Sequence, residues 1–248
     1  MRPRTVAVVQ ARNASSRLAH KVLLDLDDRP LIDWVVGRVR RADKVDQVVV
    51  ATTTDRSDDV LFEHCADAGY PVVRGSSGDV LDRVVTAAAS ERADVVVRIF
   101  GHMPLIDPDV VDEVIGTHLD ERRDYTANRL PEPQPHAYPP GLDVEVASMS
   151  ALTEAWTARA SHRHRESVTA YLYETPGRFN VRIVAAPVPV ADTFWAIETG
   201  ADLAAVRALV DVARATLTTS WFDLLGVWRR HPEVAAMNPR TGPPSLAV

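Results

Sequence analysis

Short, nearly unbroken apolar runs constrain this chain more than any other feature. Residues 5–9, 47–52 and 94–100 are rich in Val and Ile and are of strand length, as are residues 71–74. They are too continuous to leave one face in water, so they read as strands buried on both faces. Between them, residues 31–42, 58–69 and 80–90 carry apolar side chains at helical spacing; Leu31, Ile32, Val35, Val36 and Val39 share one face. Strand, helix, strand implies a mostly parallel sheet, an α/β fold.

Residues 108–119 form a further helix, opened by Asp107-Pro108 with the Asp as cap and the Pro in the first turn. Asp107 is therefore a capping residue rather than a catalyst. Five prolines (131, 133, 135, 139 and 140) make residues 130–140 a loop of the kind that often covers a site. A strand over 142–147, a helix from Met149, a charged helical stretch over 163–173 and strands over 180–185 and 194–197 follow. Helices over 201–216 and 221–231 come last, with a frayed tail from Asn238. A chain of 248 residues is near the size at which one core stops growing, which predicts a single domain over 1–248.

The net charge of −6 argues against a nucleic acid as the main partner, because neutralising its phosphates needs a surplus of Lys and Arg. With Cys65 alone there is no intrachain disulfide; a buried thiol in a helix fits the cytoplasm. No run approaches the ~20 apolar residues of a membrane span and no signal peptide is evident, so neither export nor membrane insertion is expected.

Directly after the first strand comes Gln10-Ala11-Arg12-Asn13-Ala14-Ser15-Ser16-Arg17-Leu18-Ala19-His20-Lys21. The carboxyl end of a parallel strand is where open α/β sheets bind ligands. Backbone N–H groups and the hydroxyls of Ser15 and Ser16 can cradle phosphates there while Arg12, Arg17 and Lys21 neutralise them. On spacing alone the segment reads either this way or as a solvated basic loop. The pairs Asp27-Asp28 and Asp58-Asp59 read as turn or cap residues, and His162 and His164 as part of a solvated face.

Together with Lys21-Val22-Leu23-Leu24, this loop resembles the QARxxSxRLxxKxL signature of the cytidylyltransferase family of spore coat polysaccharide biosynthesis protein F. Other blocks agree in order: Val50-Ala51-Thr52-Thr53, Arg74-Gly75 with Asp79-Val80-Leu81-Asp82-Arg83, Arg98-Ile99, Pro104-Leu105-Ile106-Asp107-Pro108, Gly141-Leu142-Asp143-Val144-Glu145, and Arg165-Glu166 with Val168-Thr169. The resemblance implies a three-layer α/β/α Rossmann-like nucleotidyltransferase fold with a mostly parallel mixed sheet, an acceptor and dimerisation subregion at about 124–190, and a homodimer. It implies that Arg12, Arg17 and Lys21 are catalytic phosphate ligands, and that Gln10, Ala11, Arg12, Ser15, Ser16, Thr52, Thr53, Gly75, Asp79 and Arg83 bind CTP. Asp143, Glu145, Arg165 and Glu166 would face a small anionic acceptor. Asp143 and Glu145 read alternatively as the exposed face of a half-buried strand.

The pattern breaks where the family holds its divalent cation. In place of an Asp after the Gly of a RITGDCP block stands His102, and the acid of the family's VDT segment is Glu198, so His102 and Glu198 are the candidate ligands for Mg²⁺ or Mn²⁺. A neutral imidazole binds Mg²⁺ poorly and suits softer ions better; a protonated one would itself supply positive charge. Ala14 replaces a usual Gly and Ala19-His20 a usual Pro-Gly. The activity implied is transfer of CMP from CTP to a sugar acid, sugar phosphate or phosphonate with release of pyrophosphate. The alternative is a non-catalytic nucleotide-binding relative with a degenerate metal site.

Overall fold

The structure is a computed structural model that describes residues 2–131, 137–158 and 161–240. Its strands, in chain order, are β1 (Thr5–Gln10), β2 (Asp25–Leu26), β3 (Arg29–Pro30), β4 (Gln47–Thr53), β5 (Val72–Gly75), β6 (Val95–Phe100), β7 (Tyr125–Ala127), β8 (Glu145–Ser148) and β9 (Val181–Ile183). β2 and β3 form a small ribbon turned at Asp27, whose φ of 58° is left-handed. The other seven make one sheet in the order β5-β4-β1-β6-β8-β7-β9. β5, β4, β1 and β6 run parallel; β8 is antiparallel to β6 and β7, and β9 is parallel to β7.

The helices are α1 (Leu31–Val39), α2 (Asp59–Asp67), α3 (Val80–Ser90), α4 (Pro108–Asp120), α5 (Met149–Thr157), α6 (His162–Ser167), α7 (Ala170–Glu174), α8 (Gly200–Ala213), α9 (Trp221–Arg230) and α10 (Pro232–Ala235). They cover both faces of the sheet, as the side-chain alternation of the central strands requires. Ala7, Val9, Val48, Val50, Val97 and Ile99 pack into a core with α1, α2, α4, α8 and α9. Their neighbours Val6, Val8, Val49, Ala51 and Val96 point the other way, into a core with α3, α5 and α7. This is the three-layer mixed sheet anticipated.

Several expectations need correction. β5 is an edge strand and only half-buried, because nothing pairs with its outer side. Residues 194–197 form no strand: the Trp195 and Ala196 N–H groups both donate to the Pro140 carbonyl, at 2.6 and 3.0 Å, and no ladder follows. The charged stretch over 163–173 is two helices, broken at Val168 with φ 66°. β7 had no sequence signal at three residues. The tail is not frayed at Asn238, which is buried and donates to the Phe194 carbonyl; residues 241–248, like Pro133 and Pro135 of the proline-rich loop, lie outside the described residues. Among the described residues no helix is long and apolar enough to cross a membrane.

Candidate functional site

Four parallel strands end together, and the segment after β1 runs across their carboxyl ends. It is tied down at both sides. The Ala11 N–H donates to Ala51, the Gly101 N–H to Gln10, and the His20 N–H to the Asn13 carbonyl at 3.1 Å. Gly101 is needed for the close approach: a Cβ there would lie 2.8 Å from the Ala11 Cβ. His20 has φ 52°, so it occupies the left-handed conformation that the Gly it replaces would favour, and the loop keeps its course.

Asp58 is more than the turn or cap residue expected of it. Its side chain does not cap α2; it is fully buried and accepts from the Asn13 N–H at 2.6 Å and the Thr53 N–H at 3.1 Å. One carboxylate thus fastens the loop after β1 to the end of β4. Thr52 and Thr53 are buried beneath the loop rather than open to a ligand.

Arginines gather around this loop. Arg98, at the end of β6, donates to the Gln10 side chain at 3.0 and 2.8 Å, to the Ser167 carbonyl, and to Glu145 at 2.8 Å. The Arg98–Glu145 pair is almost fully buried, so Glu145 is neither an exposed strand residue nor a free acceptor contact. Arg83 is buried too, packs its stem on Gly75 and donates to the Ser76 carbonyl. Burial, then the nearby Arg12 and Arg98 against Asp58, hold its pKa below the usual value. Burial also lowers Lys21, with Glu198 opposing. A site that crowds Arg12, Arg83 and Arg98 on one side and Arg17 and Lys21 on the other is built for several negative charges.

The remaining expected residues fall into two groups. Gln10, Arg12 and Glu166 line one cleft of about 240 Å³ with Ser77, Gly78, Val80 and His162. His162 is exposed, as its sequence suggests, and borders this cleft, with Glu166 on the same side as Arg12. Ser15 caps the Leu18 N–H at 3.4 Å, beside the exposed Ser16. Asp79, at the start of α3, caps the Asp82 N–H and pairs with Arg165 at 2.6 Å, which engages both side chains with each other. His164, in contrast, is partly buried and pairs with Glu174 at 3.1 Å. Asp143 pairs with Arg129 at 3.0 Å; burial pushes its carboxyl up to about 6, with the Gly141 N–H and Arg129 pulling the other way.

His102 and Glu198 are brought near each other, since the Ile197 N–H donates to the His102 carbonyl at 3.0 Å. As arranged here, neither side chain is free to act as a Mg²⁺ ligand. Burial, with Lys21, Arg17 and Arg98 close by, pushes His102 down to about 3, which favours the neutral ring over the protonated one. The Glu198 carboxylate is already paired with Arg17 at 2.6 Å and Arg240 at 3.1 Å. Among the described residues no group of three His, Cys, Asp or Glu side chains could hold a metal. Mg²⁺ is commonly held by one or two carboxylates together with substrate phosphates, so the imidazole is a poor ligand for it and Glu198 would have to leave its arginine partners to serve. Sequence reasoning missed Arg98, Asp58 and Arg240; a charge inside the run Val95-Val96-Val97-Arg98-Ile99 was the available signal for the first.

Residues 6–200 match the model of a protein family described as cytidylyltransferase. The chain is 31% identical over 236 residues to the spore coat polysaccharide biosynthesis protein SpsF of Bacillus subtilis, covering 92% of this chain and 95% of that one. It is 35% identical over 197 residues to a 3-deoxy-manno-octulosonate cytidylyltransferase of Anaeromyxobacter dehalogenans, covering 78% and 77%. Among solved structures, a cytidylyltransferase from Leptospira borgpetersenii superposes with a TM-score of 0.87 at 24% identity, covering 94% of this chain and 97% of that one.

Proposed function

The chain belongs to the cytidylyltransferase family, and on that premise we propose that it transfers CMP from CTP to a hydroxyl group of a sugar acid, releasing pyrophosphate. The observation that carries this reading is the cationic phosphate loop, fixed across the strand ends by Asp58 and by backbone bonds to β4 and β6. The acceptor oxygen bonds to the α-phosphorus as the bond from that phosphorus to the bridging oxygen breaks. Pyrophosphate leaves with the electron pair, and the hydroxyl proton passes to water.

The protein's part is positioning and charge. Arg12, Arg17 and Lys21 bind the triphosphate, with Arg83 and Arg98 supplying fixed positive potential from beneath. The nucleoside end occupies the cleft of Gln10, Arg12, Ser77, Gly78 and Glu166. A divalent ion at this site would be held chiefly by the triphosphate oxygens, hard donors that the neutral imidazole of His102 does not replace.

Lys21→Ala tests the reading. With CTP and an accepted sugar acid, kcat/KM should fall by roughly 10²–10³, the scale of losing one preorganised charge donor at a reacting phosphate. A variant within a fewfold of the parent would remove the phosphate loop from the reaction.

A further inference from the structure

On the far side of Glu198 from the phosphate loop lies a second pocket, of about 490 Å³. Tyr138, Pro139 and Pro140 form one wall, Phe194 another, and Arg129 and Arg240 line it as well. The walls are fixed to each other by the two N–H bonds onto the Pro140 carbonyl. Gly141, with φ 115°, permits that contact: a Cβ there would stand 2.6 Å from the Trp195 carbonyl carbon. The same backbone continues through Ile197, bonded to His102, to Glu198, paired with Arg17. One short run of chain therefore joins the pocket to the triphosphate site.

Arg240 sits at the junction. Its guanidinium lies over the Phe194 ring at 5.1 Å, with Nη1 3.1 Å from Glu198 and Nε 3.9 Å from Asp202. The Asp202 Oδ1 it approaches is buried and accepts no hydrogen bond. The other Asp202 oxygen accepts from the N–H groups of Glu198 and Thr199, which holds Glu198 in place at the start of α8.

We propose that this pocket binds the acceptor as an anionic monosaccharide, and that Arg240 takes its carboxylate or phosphate. This rests on the CMP transfer proposed above. The volume is within the range of small-ligand sites. Proline and aromatic faces suit the C–H faces of a sugar ring, and a guanidinium fork matches a carboxylate or phosphate. Of the residues that sequence placed on the acceptor side, Asp143, Glu145 and Glu166 are carboxylates that would repel an anion, and Arg165 lies away from this pocket, paired with Asp79. When an anion enters, Arg240 turns from Glu198 toward it, and the acceptor is held beside the loop that carries the α-phosphate.

The test is calorimetric titration with 3-deoxy-manno-octulosonate and, separately, glucose 1-phosphate, of the protein loaded with a CTP analogue whose α,β-bridging oxygen is replaced by a methylene and which cannot release pyrophosphate; the anion that binds identifies the source of the charge. Arg240→Ala should weaken the binding about tenfold or more, the scale of a lost charge-assisted hydrogen bond, and Arg240→Lys should recover part of it. Ala191→Trp, a change at an exposed position on the pocket lining, should block the sugar while the CTP affinity stays within error. Binding of neither anion by the parent protein, or equal binding in parent and variants, overturns the assignment. The CMP-transfer reading fails separately, by absence of CTP binding or turnover.

Discussion

Arg38 and Arg98 are the same kind of group in the same kind of setting, yet they serve different ends of the molecule. Both are buried, and each reaches a carboxylate: Asp107 at 3.4 Å for Arg38 and Glu145 at 2.8 Å for Arg98. Arg38, on α1, donates to the carbonyls of Ile106, Thr216 and Thr219. Burial lowers it to about 10, with Asp107 opposing, so it remains charged at neutral pH. Asp107 in turn accepts from the N–H groups of Asp109 and Trp221, capping α4 and holding the start of α9. Arg98 bonds Gln10 and Ser167 instead, within electrostatic reach of His102 and Arg83. A buried cation among helices acts as a rivet; at the carboxyl ends of parallel strands it faces ligand.

The largest effect should come from the rivet. Arg38→Met leaves Asp107 buried and uncompensated, and should cost about 3–5 kcal/mol of stability, read from the urea midpoint. CTP affinity of the folded protein should be unchanged; a matching loss of affinity would break the contrast. Arg98→Met should cost less stability, about 3 kcal/mol, and in addition weaken CTP binding at least tenfold by calorimetry. Loss of stability without loss of affinity would make Arg98 a second rivet.

The two regions also differ in how far they can be read from sequence. The parallel half was legible because β1, β4 and β6 are Val runs buried on both faces, and because the cationic and hydroxyl residues of the candidate loop are contiguous. The antiparallel half was not. β7 is three residues long, and the segment over 194–197 has strand-like residues but binds one carbonyl of a proline loop instead of a partner strand. Arg98–Glu145 and Arg38–Asp107 join residues 47 and 69 positions apart, and pairs at that distance leave no periodic trace in a single sequence. The same holds for Asp58 under the loop and for Arg240, whose value depends on where the chain has returned to.

A buried polar group remote from the cleft gives a third comparison. His118 on α4 is buried, with Nδ1 3.2 Å from the Thr126 hydroxyl, and burial pushes it down to about 4. The unfolded chain takes up a proton there below about pH 6.5, which the native ring refuses until about pH 4. Stability should therefore fall with falling pH through that window, by about 2 kcal/mol between pH 7 and pH 5. Denaturant midpoints for His118→Leu should show a flatter pH dependence; an unchanged slope would place the acid sensitivity elsewhere. The smallest stability effect belongs to Arg17→Ala. Arg17 is 58% exposed in its pair with Glu198, so stability should move by less than about 0.5 kcal/mol, while CTP affinity drops about tenfold. Equal small changes in both would make Arg17 a surface charge.

The most direct measurement is ³¹P NMR of the protein with CTP and 3-deoxy-manno-octulosonate among other sugar acids. Transfer of CMP predicts pyrophosphate and a new CMP diester appearing in equal amounts with one of the acids, and both appearing roughly 10²–10³-fold more slowly with Lys21→Ala. CTP that stays intact with every acid, or that breaks down to CDP and phosphate, would contradict it.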